Sequence, residues 1–247
     1  MKPFERIVFP LDLPTEQEAL EFTKTLQGLV GVFKVGLELF VSSGPSVVEK
    51  IRKISPESKI FLDLKFHDIP ETMKRAVSSA ACLGVDFITI HVSAGEEALK
   101  AAVATGSASG GGKLKILGVT VLTSMSKQDL EDMDQALRNV ESLVVRRAEL
   151  AKRCGLDGIV CSGLEAKKIK KTFGKEFIAL TPGIRLKQDQ KKDDQKRVTT
   201  PYDAILNNAD YLVIGRPIRD SKNPFETLDI ITKEIEKALK DRESSFK

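Results

Sequence analysis

The feature that most constrains this chain is a repeat of short apolar, β-branched runs, each followed by a longer amphipathic stretch. The runs fall at 7–11, 32–35, 60–64, 85–90, 115–122, 158–161, 177–180 and 211–214. Segments with helical spacing of apolar residues lie between most neighbours, clearest at 15–26, 45–54, 70–83, 96–104 and 135–154. A short continuous apolar run is the pattern of a strand buried on both faces, and an intervening helix returns the chain so that the next strand runs parallel to the last. Eight such units predict an α/β fold of the (β/α)8 barrel type, a TIM barrel with a parallel eight-stranded closed sheet; a doubly wound open sheet is the alternative. A length of 247 residues suits one such barrel, so residues 1–247 are expected to form a single domain.

Local signals place several boundaries. Pro14 and Thr15 lead into an acidic first turn at Glu16 and Glu18, and Pro45 and Pro70 stand where a first helical position tolerates a missing N–H. Two stretches read as connectors. TGSASGGG at 105–112 is expected to be a surface linker rather than a phosphate cradle, because no P-loop lysine pattern follows it. The polar, charged stretch at 186–200, after the seventh run, has the length of a lid or binding loop. From position 237 onward the charged tail is expected to be solvated.

Composition excludes several classes. With 41% hydrophobic and 30% charged residues the chain has no compositional bias toward disorder. The net charge of +4 is modest and the basic residues are interspersed with acidic ones, which argues against nucleic acid as a partner and leaves an anionic small molecule open. No apolar run approaches the roughly 18 residues that span a bilayer, and the first residues lack a signal-peptide pattern, so no membrane partner and a cytoplasmic location are expected. Cys82, Cys154 and Cys161 have no metal-ligand spacing, and they are read as buried free thiols with no metal and no disulfide framework.

In a (β/α)8 barrel, function sits at the carboxyl ends of the strands. The residues that close the runs are Asp12, Lys34, Asp63 with Lys65, His91, Thr123, Ser162, the segment 183–185 ending in Arg185, and Gly215 with Arg216. Asp63 and Lys65 stand two apart on an extended segment, so their side chains share the face turned to the barrel interior while Leu62 and Leu64 face outward. A carboxylate and an ammonium buried side by side are costly unless paired and hydrogen-bonded. The pair is either a structural ion pair or part of a reaction site, and Lys34 and Asp68 nearby favour the site. Arg185 and Arg216, closing the last two runs, stand where such barrels bind phosphate. His67 is expected to point away from Lys65 and support the loop, and His91 to fill a hydrogen-bonded interior role.

DLKFHDIPET at 63–72 resembles the DxKxxD signature of the orotidine 5'-phosphate decarboxylase family. The similarity extends through nearly the whole chain: LDL around Asp12, FKVGLELF around Lys34, VLTSMS at 121–126, TPGIR at 181–185, DDQKRVTTP at 193–201 and VIGRPI at 213–218. The resemblance implies decarboxylation of orotidine 5'-phosphate to UMP and CO2, the final step of UMP biosynthesis, by a homodimer that uses no cofactor. It implies that Lys34, Asp63, Lys65 and Asp68 form an alternating charged array, with Asp68 and Thr72 reaching into the neighbouring subunit's site. By the same resemblance Asp12 holds ribose hydroxyls and Lys34 pairs with Asp63 and the sugar. Thr123 with Ser124 or Ser126 meets the pyrimidine amide edge, and Ile69 and Pro182 contact substrate. Arg185, Gln195 and Arg216, with the Gly215 N–H, bind phosphate. Metal-dependent sugar-phosphate decarboxylases and aldolases of the wider superfamily share DxKxxD but place a glutamate metal ligand where this chain has Lys34, and a protonated lysine cannot ligate a hard cation. Three features depart from the family pattern. Phe9 and Pro10 make an irregular first strand an expectation; His91 is followed by Val-Ser-Ala-Gly rather than paired glycines; and the glycine-rich stretch near Ser109 has no assigned role.

Overall fold

A computed structural model of the chain describes residues 1–109, 114–133, 139–187 and 198–244. Eight parallel strands close into a barrel in chain order: β1 (Ile7–Pro10), β2 (Val32–Gly36), β3 (Lys59–Phe66), β4 (Phe87–His91), β5 (Lys115–Val119), β6 (Gly158–Val160), β7 (Ile178–Thr181) and β8 (Tyr211–Val213). β8 pairs back onto β1 through Ile7 opposite Leu212 and Val8 opposite Val213, which decides for the closed barrel over the open sheet. The helices follow the strands. α1 (Glu16–Leu26) follows β1, α2 (Leu37–Ser43) and α3 (Ser46–Ile54) follow β2, and α4 (Pro70–Cys82) and α5 (Glu96–Ser109) follow β3 and β4. α6 (Lys127–Met133) and α7 (Val140–Arg153) follow β5, α8 (Ala166–Phe173) follows β6, α9 (Pro201–Leu206) follows β7, and α10 (Arg216–Arg219) and α11 (Pro224–Ser244) follow β8. Among the described residues no helix is long and apolar enough to cross a membrane.

Alternation along the strands sorts the core into two layers. Ile7, Phe9, Phe33, Val35, Ile60, Leu62, Ile88, Ile90, Ile159 and Leu212 pack outward in the layer shared with the helices. The residues between them, Val8, Val32, Phe61, Phe87, Leu117, Leu180 and Tyr211, fill the barrel interior. At the amino end of that interior the Lys59 ammonium reaches the Tyr211 hydroxyl at 3.3 Å and lies over the Phe87 and Tyr211 rings. One step toward the carboxyl end the same inward register brings Lys34 and Asp63, so the interior changes from apolar to charged along its axis.

A motif at the amino end sets the strand starts. Gly84, Gly155 and Asn208, all at positive φ, each stand two residues before an aspartate: Asp86, Asp157 and Asp210. The backbone N–H of these aspartates donates to Ile60, Ile116 and Ala179, and their carboxylates accept the N–H of the same three residues at 2.8, 2.9 and 2.8 Å. Arg52, Lys115 and Lys170 neutralise them. The left-handed turn reverses the chain after the helix, and the carboxylate satisfies an amide at the rim of the sheet.

Several sequence expectations change. β1 is regular as far as Pro10, which lies opposite Lys34, and the ladder continues with the Leu11 N–H donating to the Lys34 carbonyl at 2.9 Å. Proline is tolerated there because β8, the strand that its missing N–H would face, ends at Val213, opposite Val8. Positions 105–109 are the end of α5 rather than a linker, with 110–112 outside the described residues. Gly106 belongs to that helix because a Cβ would stand 2.7 Å from Ile116 Cδ1, where α5 approaches β5. The charged tail is the end of α11: Lys237, Lys240 and Glu243 are exposed to solvent, while Ala238 is buried and Tyr202 of α9 donates its hydroxyl to Asp241 at 2.8 Å. Cys82, expected to be buried, is exposed.

Candidate active site

The site begins with the ends of β1, β2 and β3. Asp12, Lys34, Asp63 and Lys65 form a continuous chain of alternating charge. Lys34 Nζ lies 3.0 Å from Asp12 Oδ1 and 3.5 Å from Asp63 Oδ2, and Lys65 Nζ donates to Asp63 Oδ2 at 2.9 Å. Exposure rises from the middle outward: the side chains of Lys34 and Asp63 are 8% and 12% exposed, those of Lys65 and Asp12 31% and 47%. Burial opposes charge on both central groups, yet their partners prevail. The Asp63 and Asp12 carboxylates hold the Lys34 ammonium above the ordinary lysine range. Against its own desolvation, Asp63 is held below the ordinary carboxylate range by Lys34 and Lys65, helped by a hydrogen bond from Thr89.

Asp63 and Lys65 meet, but not by simple alternation. The partners of β3 on β4 are Ile88 for Leu62 and Ile90 for Phe66, so β3 carries a bulge here, and Lys65 adopts φ 51. The extended register expected for Lys65 is therefore replaced by a left-handed turn. Strand β3 ends at Phe66, so strand register does not orient His67; it is exposed, and its ring lies 5.4 Å from that of His91. Burial, His67, Lys65 and Arg147 push the His91 imidazole below its ordinary range.

The charged chain forms one wall of a cavity of about 410 Å³, within the usual range for small-molecule sites. Its floor is Phe61, Val119, Val160, Leu180 and Val213, the top of the apolar interior. The same cavity is lined by Arg185, buried at the end of the segment after β7, and by Arg216 at the start of α10. Asp12, Thr123, Ser124, Pro182 and Gly215 complete the sequence-expected set that lines it. Arg185 N–H donates to the Thr199 carbonyl and Thr199 N–H to the Gly183 carbonyl, which holds the two ends of the 186–200 stretch together. Gln195 lies outside the described residues.

Other expected residues stand elsewhere. Ser126 does not line the cavity; its hydroxyl bonds with Asp129 in the first turn of α6, where it caps that helix. Ser162 is buried in the turn before α8, its N–H donating to Glu165. Asp68, Ile69 and Thr72 are exposed and do not line the cavity of their own chain; the Asp68 carboxylate accepts the Ile69 N–H at 2.7 Å.

Two further residues of the site escape sequence reasoning. A Cβ at Gly36 would stand 2.5 Å from Asp12 Oδ1 and 2.9 Å from Lys34 Nζ, so any larger residue there would displace the ends of the first ion pair. Its signal is a glycine directly after a strand-end lysine. Arg219 lines the cavity, paired with Asp220 and donating to the Asp12 carbonyl at 3.4 Å; its signal is the three-residue spacing from Arg216 on one helix. Among the described residues no group of three or more His, Cys, Asp and Glu side chains is placed to hold a metal ion.

Fold and site together define a (β/α)8-barrel protein of the enzyme kind, with a lysine–aspartate array and two arginines lining one cavity at the carboxyl mouth. Comparison with known proteins is specific. Residues 5–231 match the model of the orotidine 5'-phosphate decarboxylase / HUMPS family, and the chain belongs to that family. It is 48% identical to an orotidine 5'-phosphate decarboxylase of Desulfosudis oleivorans over 242 residues, 96% of each chain. A Wolbachia pipientis protein of the same name is 44% identical, with 93% of this chain and 98% of the relative covered. The crystal structure of orotidine 5'-phosphate decarboxylase from Lactobacillus acidophilus superposes with a TM-score of 0.79 at 34% identity, covering 93% of this chain and 98% of that one.

Proposed function

We propose that this chain, as one barrel domain, decarboxylates orotidine 5'-phosphate to UMP and CO2, closing the synthesis of the pyrimidine nucleotide. The observation that carries the reading is the Asp12–Lys34–Asp63–Lys65 chain at the mouth of a cavity that Arg185 and Arg216 also line. The arrangement suits a doubly anionic substrate: phosphate toward the arginines and the Gly215 N–H, the reacting carbon toward the lysines, with Thr123 and Ser124 beside the base and Pro182 against it.

Loss of CO2 from the pyrimidine ring leaves a vinyl carbanion that no ring carbonyl delocalises directly, so stabilisation has to be electrostatic. The Lys65 ammonium opposes the developing charge and then delivers a proton to the same carbon. Asp63 acts on the ground state: two like charges about 4 Å apart repel by about 4 kcal/mol at an effective dielectric of 20, a repulsion that disappears as CO2 leaves. Lys34 holds Asp63 ionised and in place, and Asp12 orients Lys34 while offering its exposed oxygen to ribose hydroxyls. Binding energy from the phosphate, remote from the reaction, closes the site and orders the array.

The active species in this reading is a homodimer. Asp68, Ile69 and Thr72 stand outside their own chain's cavity, and Ile69 is 67% exposed, as expected of residues that complete a neighbour's site. Two measurements test these statements. Turnover of orotidine 5'-phosphate, followed by absorbance in EDTA, is expected to persist; its abolition would indicate a metal-dependent relative instead. Mixed dimers of the inactive Lys65→Ala and Asp68→Asn chains are expected to regain activity, since each contains one site with both residues intact. Absence of recovery in verified heterodimers would mean that the sites are not shared.

A further inference from the structure

The bulge in β3 has a single residue opposite it. Between Leu62 and Phe66 the strand advances four positions while β4 advances two, from Ile88 to Ile90, so Asp63, Leu64 and Lys65 all face Thr89. Lys65 and Asn208 are the non-glycine residues at positive φ among those described. Asparagine tolerates that region, whereas lysine adopts it only at a cost, so the surroundings must hold it there. The Lys65 N–H donates to Thr89 Oγ1 at 3.0 Å, and the Thr89 hydroxyl donates to Asp63 Oδ1 at 2.8 Å. The hydroxyl has one proton and it is directed to the carboxylate; its lone pair receives the amide. Thr89 is fully buried, so water cannot substitute for either contact without a rearrangement of the strand.

We propose that Thr89 is a positioning residue for the decarboxylation: its hydroxyl locks the Lys65 backbone into the left-handed turn and turns Asp63 so that Oδ2 faces both lysines. Thr89 does not line the cavity and acts through Asp63 and Lys65, which do. Without the turn, the Lys65 side chain leaves the strand in a different direction, and its 2.9 Å contact with Asp63 is not maintained. A threonine serves where valine, of the same shape, cannot, because both bonds depend on the oxygen.

The inference rests on the decarboxylase reading. Thr89→Val and Thr89→Ser in the full-length chain should be compared with wild type for kcat, KM and UMP affinity. Thr89→Val is expected to lower kcat by roughly 30-fold or more, with KM and UMP affinity within about threefold, and Thr89→Ser to restore kcat to within about threefold of wild type. A general loss of structure would instead weaken UMP binding in parallel. The proposal is overturned by a Thr89→Val kcat within threefold of wild type, by a parallel loss of UMP affinity, or by a serine variant no better than valine. Should the valine variant not fold, amide exchange in the wild-type chain decides. The Lys65 N–H is expected to exchange about a hundredfold or more slower than the exposed His67 and Asp68 amides; equal rates would mean that the bond to Thr89 is absent. An inactive wild type sinks the decarboxylase reading itself, whereas an active wild type indifferent to Thr89 sinks this inference alone.

Discussion

The two ends of the barrel use the same residue types for opposite purposes. At the amino end Asp86, Asp157 and Asp210 each have one cation, one backbone amide and partial exposure, a repeat that positions strand starts. At the carboxyl end Asp63 is nearly buried between two lysines, next to a non-glycine residue in the left-handed region and a cavity lined by further cations. The first arrangement satisfies every group where it stands. The second concentrates charge that a fold would not assemble for its own stability, since burying ions costs more than pairing them returns unless the geometry serves something else. Charge inside a barrel is thus informative by its neighbours and not by its identity.

Substitutions can break this contrast. The largest expected effect is Lys65→Ala, which should lower kcat by about 10⁴-fold or more while UMP still binds, because one group is asked to stabilise the carbanion and to protonate it. Substantial residual turnover by a folded Lys65→Ala chain would remove its assigned role. Next is Arg216→Ala, expected to reduce kcat/KM by roughly 100-fold through lost charge-assisted bonds to phosphate. Kinetics identical to wild type would place the phosphate elsewhere. At the other end, Asp157→Ala should leave kcat intact and lower stability by about 2 kcal/mol, a fall in Tm of about 4–8 °C for a chain of this size. Loss of activity without loss of stability there would erase the distinction between the ends.

The smallest effect concerns pH. Because burial and neighbouring cations depress the His91 pKa below 6.5, the unfolded chain takes up a proton at this position that the folded chain resists. Stability is therefore expected to fall as pH drops below 6.5 toward the folded value, and His91→Gln should flatten that part of the stability profile. An unaltered slope in urea titrations across that range would show that His91 is not its source.

The family pattern and the residue types of the site are legible in the amino-acid sequence. The eight runs locate every strand to within a few residues, and the charged residues closing the first three runs are the ones that assemble at the mouth. What is not legible has identifiable causes. The end of α5 reads as a linker because glycine and serine resemble loop composition, while Gly106 is there to let the helix approach β5. The capping of α6 by Ser126 is not visible either, because it depends on Asp129 falling in the first turn of that helix.

The sequence by itself determined the alternation of strands and helices, the inward register that turns from apolar to charged, and the chemical identity of the groups at the barrel mouth. All three are written along the chain as periodicity and residue type. Only the tertiary structure decided the closure of β8 onto β1, the left-handed turn at Lys65, the opposition of Thr89 to three residues of β3, and the close approach of the Asp12–Lys34 pair to Gly36. These depend on how strands distant in sequence are staggered when the sheet closes, and that stagger is a property of the whole barrel that no local window contains.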